Sequence, residues 1–165
     1  MRERLKDRKK EKLLANKELK RQCTLPNGTD VYICLADIAK FSVHVDAVVN
    51  PTNERFQFGR GASGSLSKAG GRKLMEKTKR HLTVHGEMGL ADAVITEAGD
   101  LGCGFVIHVL SPHWDDYKSE GMCKKTLTRT FLDCFEKAQG QSEIYTIATP
   151  PVSSGEWFNV NIAGA

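Results

Sequence analysis

The order of apolar runs in the chain predicts an α/β domain layered on a mixed, largely parallel central sheet. Three observations carry this. Short runs rich in β-branched residues alternate with helical stretches. Several runs are apolar at nearly every position, as strands covered on both faces are. Turn-forming clusters fall between them, as in Leu25-Pro26-Asn27-Gly28. The expected strands are Val31 to Leu35, Val45 to Asn50, Ala93 to Glu97, Phe105 to Leu110 and Ile144 to Thr149. The expected helices are Gly64 to His81 and Glu120 to Ala138. In the second, Met122, Leu127, Phe131, Cys134, Phe135 and Ala138 recur at helical steps.

The 165 residues are enough for one domain and a tail. The formal charge of +4 is unevenly spread. Residues 1 to 21 hold ten Lys/Arg and four Asp/Glu, which leaves fourteen and sixteen for the rest, a net of −2. Residues 1–24 therefore read as a charged helical tail or linker, and 25–165 as the folded domain. A basic arm for nucleic acid or nuclear import is the alternative for the tail, but the body has no basic, aromatic-studded face to support it, so no nucleic-acid partner is expected. No apolar run reaches the length that crosses a bilayer, and Met-Arg-Glu-Arg opens the chain without an apolar leader region. Five widely spaced cysteines without a Cys-x-x-Cys pair point to thiols in a reducing compartment rather than a disulfide framework or a zinc site. An intracellular setting, nucleus or cytoplasm, is expected, with no membrane association, metal or cofactor. Oligomeric state is left open.

In sheets of this kind ligands sit beyond the carboxyl ends of strands. Three segments meet that condition: Ala36-Asp37-Ile38, Asn50-Pro51-Thr52-Asn53 with the glycine loop after it, and Pro150-Pro151-Val152-Ser153-Ser154-Gly155. The loop itself, GRGASG at 59–64, has G-x-G-x-x-G spacing. A dinucleotide fingerprint would place its first glycine directly after the strand, whereas Gly59 comes nine residues after Asn50. A P-loop needs a lysine and then Ser/Thr, and Ser65 and Leu66 stand there instead. What remains is a phosphate nest: glycines let amides turn inward, and a helix starting near Gly64 adds its positive end. A glycine-rich connection with no ligand is the bland alternative.

The order Asp37-Ile38, VDAVVNPTNE, the glycine loop with SLSKAGG, VIHVLSPHW at 106–114 and ATPPVSSGEW at 148–157 resembles the macrodomain family over about residues 28 to 158. The closest style is that of macrodomains attached to macro-PARP-type ADP-ribosyltransferases. The resemblance implies a three-layer α/β/α fold and a pocket for ADP-ribose. It implies that Asp37 accepts from an adenine amino group and the amide of Ile38 donates to the ring. Asn53 would bond ribose hydroxyls, and Asn50 would hold the loop through backbone. Gly59, Gly61, Ala62, Ser63 and Gly64 would present amides to one phosphate; Ser153, Ser154, Gly155 and Glu156 would serve the other phosphate and its ribose. Trp157 would pack on a sugar or base, or else on the protein. Two facing nests can hold a diphosphate without lysine or metal. His108 is read as a satisfied core residue, and His81 and His85 as surface residues.

Departures from the family pattern bear on activity. Ser63 stands where one hydrolase class carries an aspartate, and Ser63 cannot act as a carboxylate base. Arg60 replaces a glycine, and Phe158 stands where the second loop has one. Asn159-Val160 replace the run into the last helix, so a fold with its C-terminal helix cut short is expected, exposing apolar sheet surface. The expected function is recognition of ADP-ribose on mono-ADP-ribosylated proteins or at poly-ADP-ribose ends, with no catalytic residue assigned. The alternatives are an ADP-ribosyl-protein hydrolase and a degenerate macrodomain serving as a scaffold.

Overall fold

The structure is a computed structural model that describes residues 19–110, 112 and 114–153. The elements run β1 (Leu19–Thr24), β2 (Asp30–Cys34), α1 (Ile38–Phe41), β3 (Ala47–Thr52), α2 (Gly61–His85), β4 (Ala93–Glu97), β5 (Phe105–Leu110), α3 (Glu120–Gln139) and β6 (Ile147–Ala148). The main sheet has the order β4-β5-β3-β6. β3 is parallel to β5 and to β6, and β4 is antiparallel to β5, so the sheet is mixed.

Alternation along the strands builds the layers. Val48 and Val106 face a cluster with Ala39, Leu66, Leu74, Ala98 and Leu101 on the α2 side. Ala47, Val49, Ile107 and Val109 face a second cluster with Cys134 and Ala138 of α3, and with Val152. The period-two side-chain alternation thus feeds two cores from one sheet, giving the three-layer α/β/α arrangement. Burial, and then Asp133, push the Cys134 thiol up to about 12, so it stays protonated and packs as a small apolar group.

Pro51 lies inside β3, where a missing N–H would break a ladder. It is tolerated because β6 pairs only with Ala47 and Val48, so β3 is paired on one side alone by Pro51. β6 is tied at its start instead: the Asp46 carboxylate accepts from the amides of Tyr145 (3.0 Å) and Thr146 (2.9 Å) and from the Thr146 hydroxyl (2.7 Å). That knot and Pro150-Pro151 explain why the strand expected over Ile144 to Thr149 is only two residues long.

Three expectations are corrected. Residues 19–24 are not helical. They form β1, antiparallel to β2, with Cys23 opposite Val31 and Arg21 opposite Ile33. The Leu25–Gly28 cluster is the turn of this hairpin, not a boundary; the Leu25 amide donates to the Thr29 carbonyl and the Gly28 amide to the Leu25 carbonyl. The hairpin is a separate two-stranded sheet, so β2 is not covered on both faces, and Val31 and Ile33 are exposed. α2 begins at Gly61, not Gly64, and reaches His85. It is broken at Gly71, whose φ of 62° and ψ of −161° leave the helical region. An added side chain there would be both strained and within 2.9 Å of the Asp100 carboxylate. Residues 1–18, and Phe158 to Val160 with the expected C-terminal shortening, lie outside the described residues.

Candidate functional site

β3, β5 and β6 are parallel, so their carboxyl ends open at one edge of the sheet. Asn53 follows β3, Pro112 follows β5, and Ser153 follows β6. The Ser153 hydroxyl donates to the Pro112 carbonyl at 3.0 Å, which joins the last two loops. Ser153 holds a φ of 60°, and the neighbouring Val152 is buried in the α3-side core, so the turn after β6 is anchored.

The start of α2 is the most distinctive part. A helix leaves its first amides without intrahelical acceptors, and a Ser, Thr, Asp or Asn at the N-cap commonly accepts one. Here the N-cap is Arg60, which gives no side-chain cap. The amides of Gly61, Ala62 and Ser63 have no acceptor among the described residues. Within the same turn Ser63 is 7% exposed, and its hydroxyl has no hydrogen-bond partner among the described residues. A buried hydroxyl without a partner costs about 1–3 kcal/mol. Gly64 brings the loop in tightly: an added Cβ would lie 2.5 Å from the Gly59 carbonyl oxygen. Arg60 itself is exposed.

Asp37 caps α1. Its Oδ1 accepts from the amides of Ala39 (2.8 Å) and Lys40 (3.3 Å). The Ser65 hydroxyl donates to both carboxylate oxygens, at 2.9 and 3.0 Å. The Ser65 bond first, then the Lys40 amide, lower the pKa of Asp37, so it is ionised at neutral pH. It is exposed, while Ile38 beside it packs on the α2-side core. Ser65 thereby ties the segment after β2 to the first turns of α2.

Asn53 is held by its own loop. Its Oδ1 accepts from the amides of Arg55 (3.2 Å) and Gln57 (2.9 Å), and its Nδ2 donates to Gln57 Oε1 at 2.8 Å. Asn50 departs from expectation. It does not bond backbone; its Nδ2 donates to His108 Nδ1 at 3.0 Å. The register that sets Asn50 opposite His108 on parallel strands makes this pair. The other ring nitrogen, Nε2, donates to Thr96 Oγ1 at 2.9 Å, so the imidazole is the neutral Nε2–H tautomer. His108 is fully buried and its pKa is lowered to about 3, by burial first and His81 second. Phe56 and Phe58 of the Asn53 loop stand edge-on to its ring, at 5.3 and 6.2 Å. Phe56 also meets His81 at 5.5 Å, so His81 is half-buried rather than a surface residue, while His85 is exposed.

The structure thus brings together Asp37, Ile38, Gly59, Gly61, Ala62, Ser63 and Gly64 along the start of α2, with Asn53 and Ser153 at the same sheet edge. Asn50 lies beneath, in the sheet. Ser154, Gly155, Glu156 and Trp157 lie outside the described residues. The sequence reading missed Ser65 and Gln57, which orient Asp37 and Asn53. The four-residue step from Asn53 to Gln57, an Asn-initiated turn, was a usable signal for one; Ser65, 28 residues from Asp37, had none.

Comparison with known proteins supports the fold and gives the family. A protein mono-ADP-ribosyltransferase of Mus musculus, PARP9, is 35% identical over 134 residues, 80% of this chain; the chain spans only 15% of that protein. An O-acetyl-ADP-ribose deacetylase of Enterobacter sp. (strain 638) is 33% identical over 135 residues, which cover 82% of this chain and 72% of the deacetylase. An Oceanobacillus iheyensis macrodomain solved with ADP superposes with a TM-score of 0.73 at 20% identity, over 83% of this chain and 70% of that one. A Trypanosoma brucei macrodomain in complex with ADP-ribose matches at 0.54 over 70% and 46%, also at 20% identity. The Macro domain family profile matches residues 49–161, from the middle of β3 through the glycine loop to the loop after β6, and the chain belongs to the macro domain family.

Proposed function

We propose that this chain is an ADP-ribose-binding module that reads ADP-ribose on mono-ADP-ribosylated proteins or at the ends of poly-ADP-ribose. The observation that carries the reading is the uncapped first turn of α2, with its open amides and the buried, unpartnered Ser63 hydroxyl at the carboxyl end of β3. A diphosphate oxygen supplies the acceptor that all of these lack, and the helix dipole favours its charge. In this reading Asp37 keeps acceptor capacity for the adenine amino group, since its Oδ2 is engaged only by Ser65. The Ile38 amide, first in α1, donates to the ring. Asn53, positioned by Gln57, meets a ribose, and Ser153 serves the second phosphate and its ribose. Calorimetric titration with free ADP-ribose tests this: saturable heat is expected, and none at millimolar ligand would leave the scaffold reading.

Hydrolysis is the second reading, favoured by the likeness to the Enterobacter deacetylase, which reaches over most of both chains. Recognition ranks above it because Ser63, in the glycine loop, offers no carboxylate base. Incubation with a mono-ADP-ribosylated protein separates them. A reader leaves the label in place, and multiple-turnover release of ADP-ribose would make the chain an enzyme.

A further inference from the structure

A groove of about 410 Å³ runs between the C-terminal half of α2 and the sheet edge formed by β4. Its lining includes the apolar Val84, Ile95 and Phe105 and, on α2, Lys77, Arg80, His81 and His85. It runs from Phe105, the first residue of β5, to His81, which meets Phe56 of the Asn53 loop at 5.5 Å. Its lining shares no residue with the ligand site of the preceding section.

The charges in the groove are not balanced within the protein. Lys77 pairs with Glu97 at 2.8 Å. Arg80, one turn on, has no ion-pair partner among the described residues. The His81 and His85 rings lie 4.6 Å apart. Around His81 stand His85, Lys77 and Arg80 of its own helix, His108 of β5, Lys137 of α3, itself paired with Asp133 at 3.0 Å, and Glu97 of β4 as the sole anion of the lining. Burial first, then His85 and Lys137, lower the pKa of His81, so its imidazole is neutral at neutral pH and meets an anion by hydrogen bonding. Apolar side chains beside a guanidinium and two imidazoles suit a compact dianion joined to a flat apolar group.

We propose that this groove is a second anion site, taking a phosphomonoester whose phosphate meets Arg80, His81 and His85 while an apolar or aromatic portion lies against Phe105, Ile95 and Val84. The proposal is independent of the ADP-ribose reading. Phenyl phosphate and inorganic phosphate are the probes, titrated while the side-chain signals of His81, His85 and Arg80 are followed by NMR, with ADP-ribose present in excess to fill the first site if it binds there. The expected result is saturable movement of all three signals, with phenyl phosphate binding several-fold more tightly than inorganic phosphate. Arg80→Met should weaken phenyl phosphate by about tenfold or more with the amide spectrum otherwise unchanged, the loss expected of one charge-assisted contact. Glu97→Gln should strengthen binding, by removing the competing anion and releasing Lys77. Non-saturating shifts, an Arg80→Met variant that binds as well as the parent, or complete displacement of phenyl phosphate by ADP-ribose would each overturn the proposal.

Discussion

His108 shows how far one residue's surroundings set its chemistry. Its ring lies in the sheet with no solvent exposure, accepts from Asn50, donates to Thr96 and meets two aromatic edges. Protonation would remove the acceptor that Asn50 needs and place a charge in the core. With a folded pKa of about 3 against an ordinary value near 6.5, the unfolded chain takes up this proton first. The His108 contribution is thus fully present above about pH 6.5 and is lost as pH falls from there towards the folded value, about 2 kcal/mol of it by pH 5. Urea unfolding across that range should show the decline. His108→Gln, less stable at neutral pH, should have a flatter profile over the same interval; an equal slope in both proteins would mean other groups set the acid response. Asp37 behaves oppositely in character: exposed and hydrogen-bonded as the anion, it stays charged through this range. Asp37→Ala should weaken ADP-ribose by roughly 1.5–3 kcal/mol, as loss of a charge-assisted hydrogen bond does. Ser65→Ala, which frees the carboxylate without removing it, should cost less, about 0.5–1.5 kcal/mol. Calorimetry on the two variants orders them, and unchanged affinity for Asp37→Ala would take Asp37 out of the site.

At the scale of elements, the junction between the glycine loop and α2 decides between two opposed effects. Glycine to alanine inside a helix normally stabilises by about 1 kcal/mol. At Gly64 the new Cβ would sit 2.5 Å from the Gly59 carbonyl oxygen, a backbone atom that cannot swing aside. Overpacking of this kind costs about 1–3 kcal/mol, so Gly64→Ala should destabilise and should also displace the glycine loop. Gly121, near the start of α3, has nothing within 4 Å of an added Cβ, and Gly121→Ala should be neutral or stabilising in the same urea series. If both variants behave alike, the close approach at Gly64 does not constrain the loop. The same junction marks what a sequence discloses. β4 and β5 match their apolar runs residue for residue, because a run buried on both faces needs no partner to be recognised. β1 was hidden: Lys20-Arg21-Gln22 continue a charge run, and only the hairpin with β2 makes them a strand. The Asn50–His108 pair joins residues 58 apart and exists because of strand register, which no local pattern encodes. The first turn of α2 was legible as a glycine-rich anion loop, but not the missing cap at Arg60, since a cap is recognised only once the helix start is fixed.

On the scale of the whole molecule, the question is how a body of net −2 would hold the proposed diphosphate. If lysine and arginine did it, binding would weaken steeply with salt, because exposed charge pairs are screened over a Debye length of about 10 Å at 0.1 M. The structure points elsewhere. Parallel β3, β5 and β6 deliver their following segments to one edge, and α2 starts there with amides open and uncapped. These dipoles are fixed by the fold and act at hydrogen-bond distance, where added salt has little effect. The overall acidity of the body opposes the ligand only weakly and at long range. From about 0.1 to 0.5 M NaCl the ADP-ribose affinity should therefore change by less than about threefold. The exposed Arg60 is the one formal cation of the loop, and it supplies the internal control. Arg60→Ala should leave the salt response flat and reduce affinity modestly, by less than the roughly 1 kcal/mol typical of exposed charge pairs. A tenfold or greater loss of affinity over that salt range, abolished by Arg60→Ala, would mean that Arg60 grips the diphosphate in place of the backbone amides.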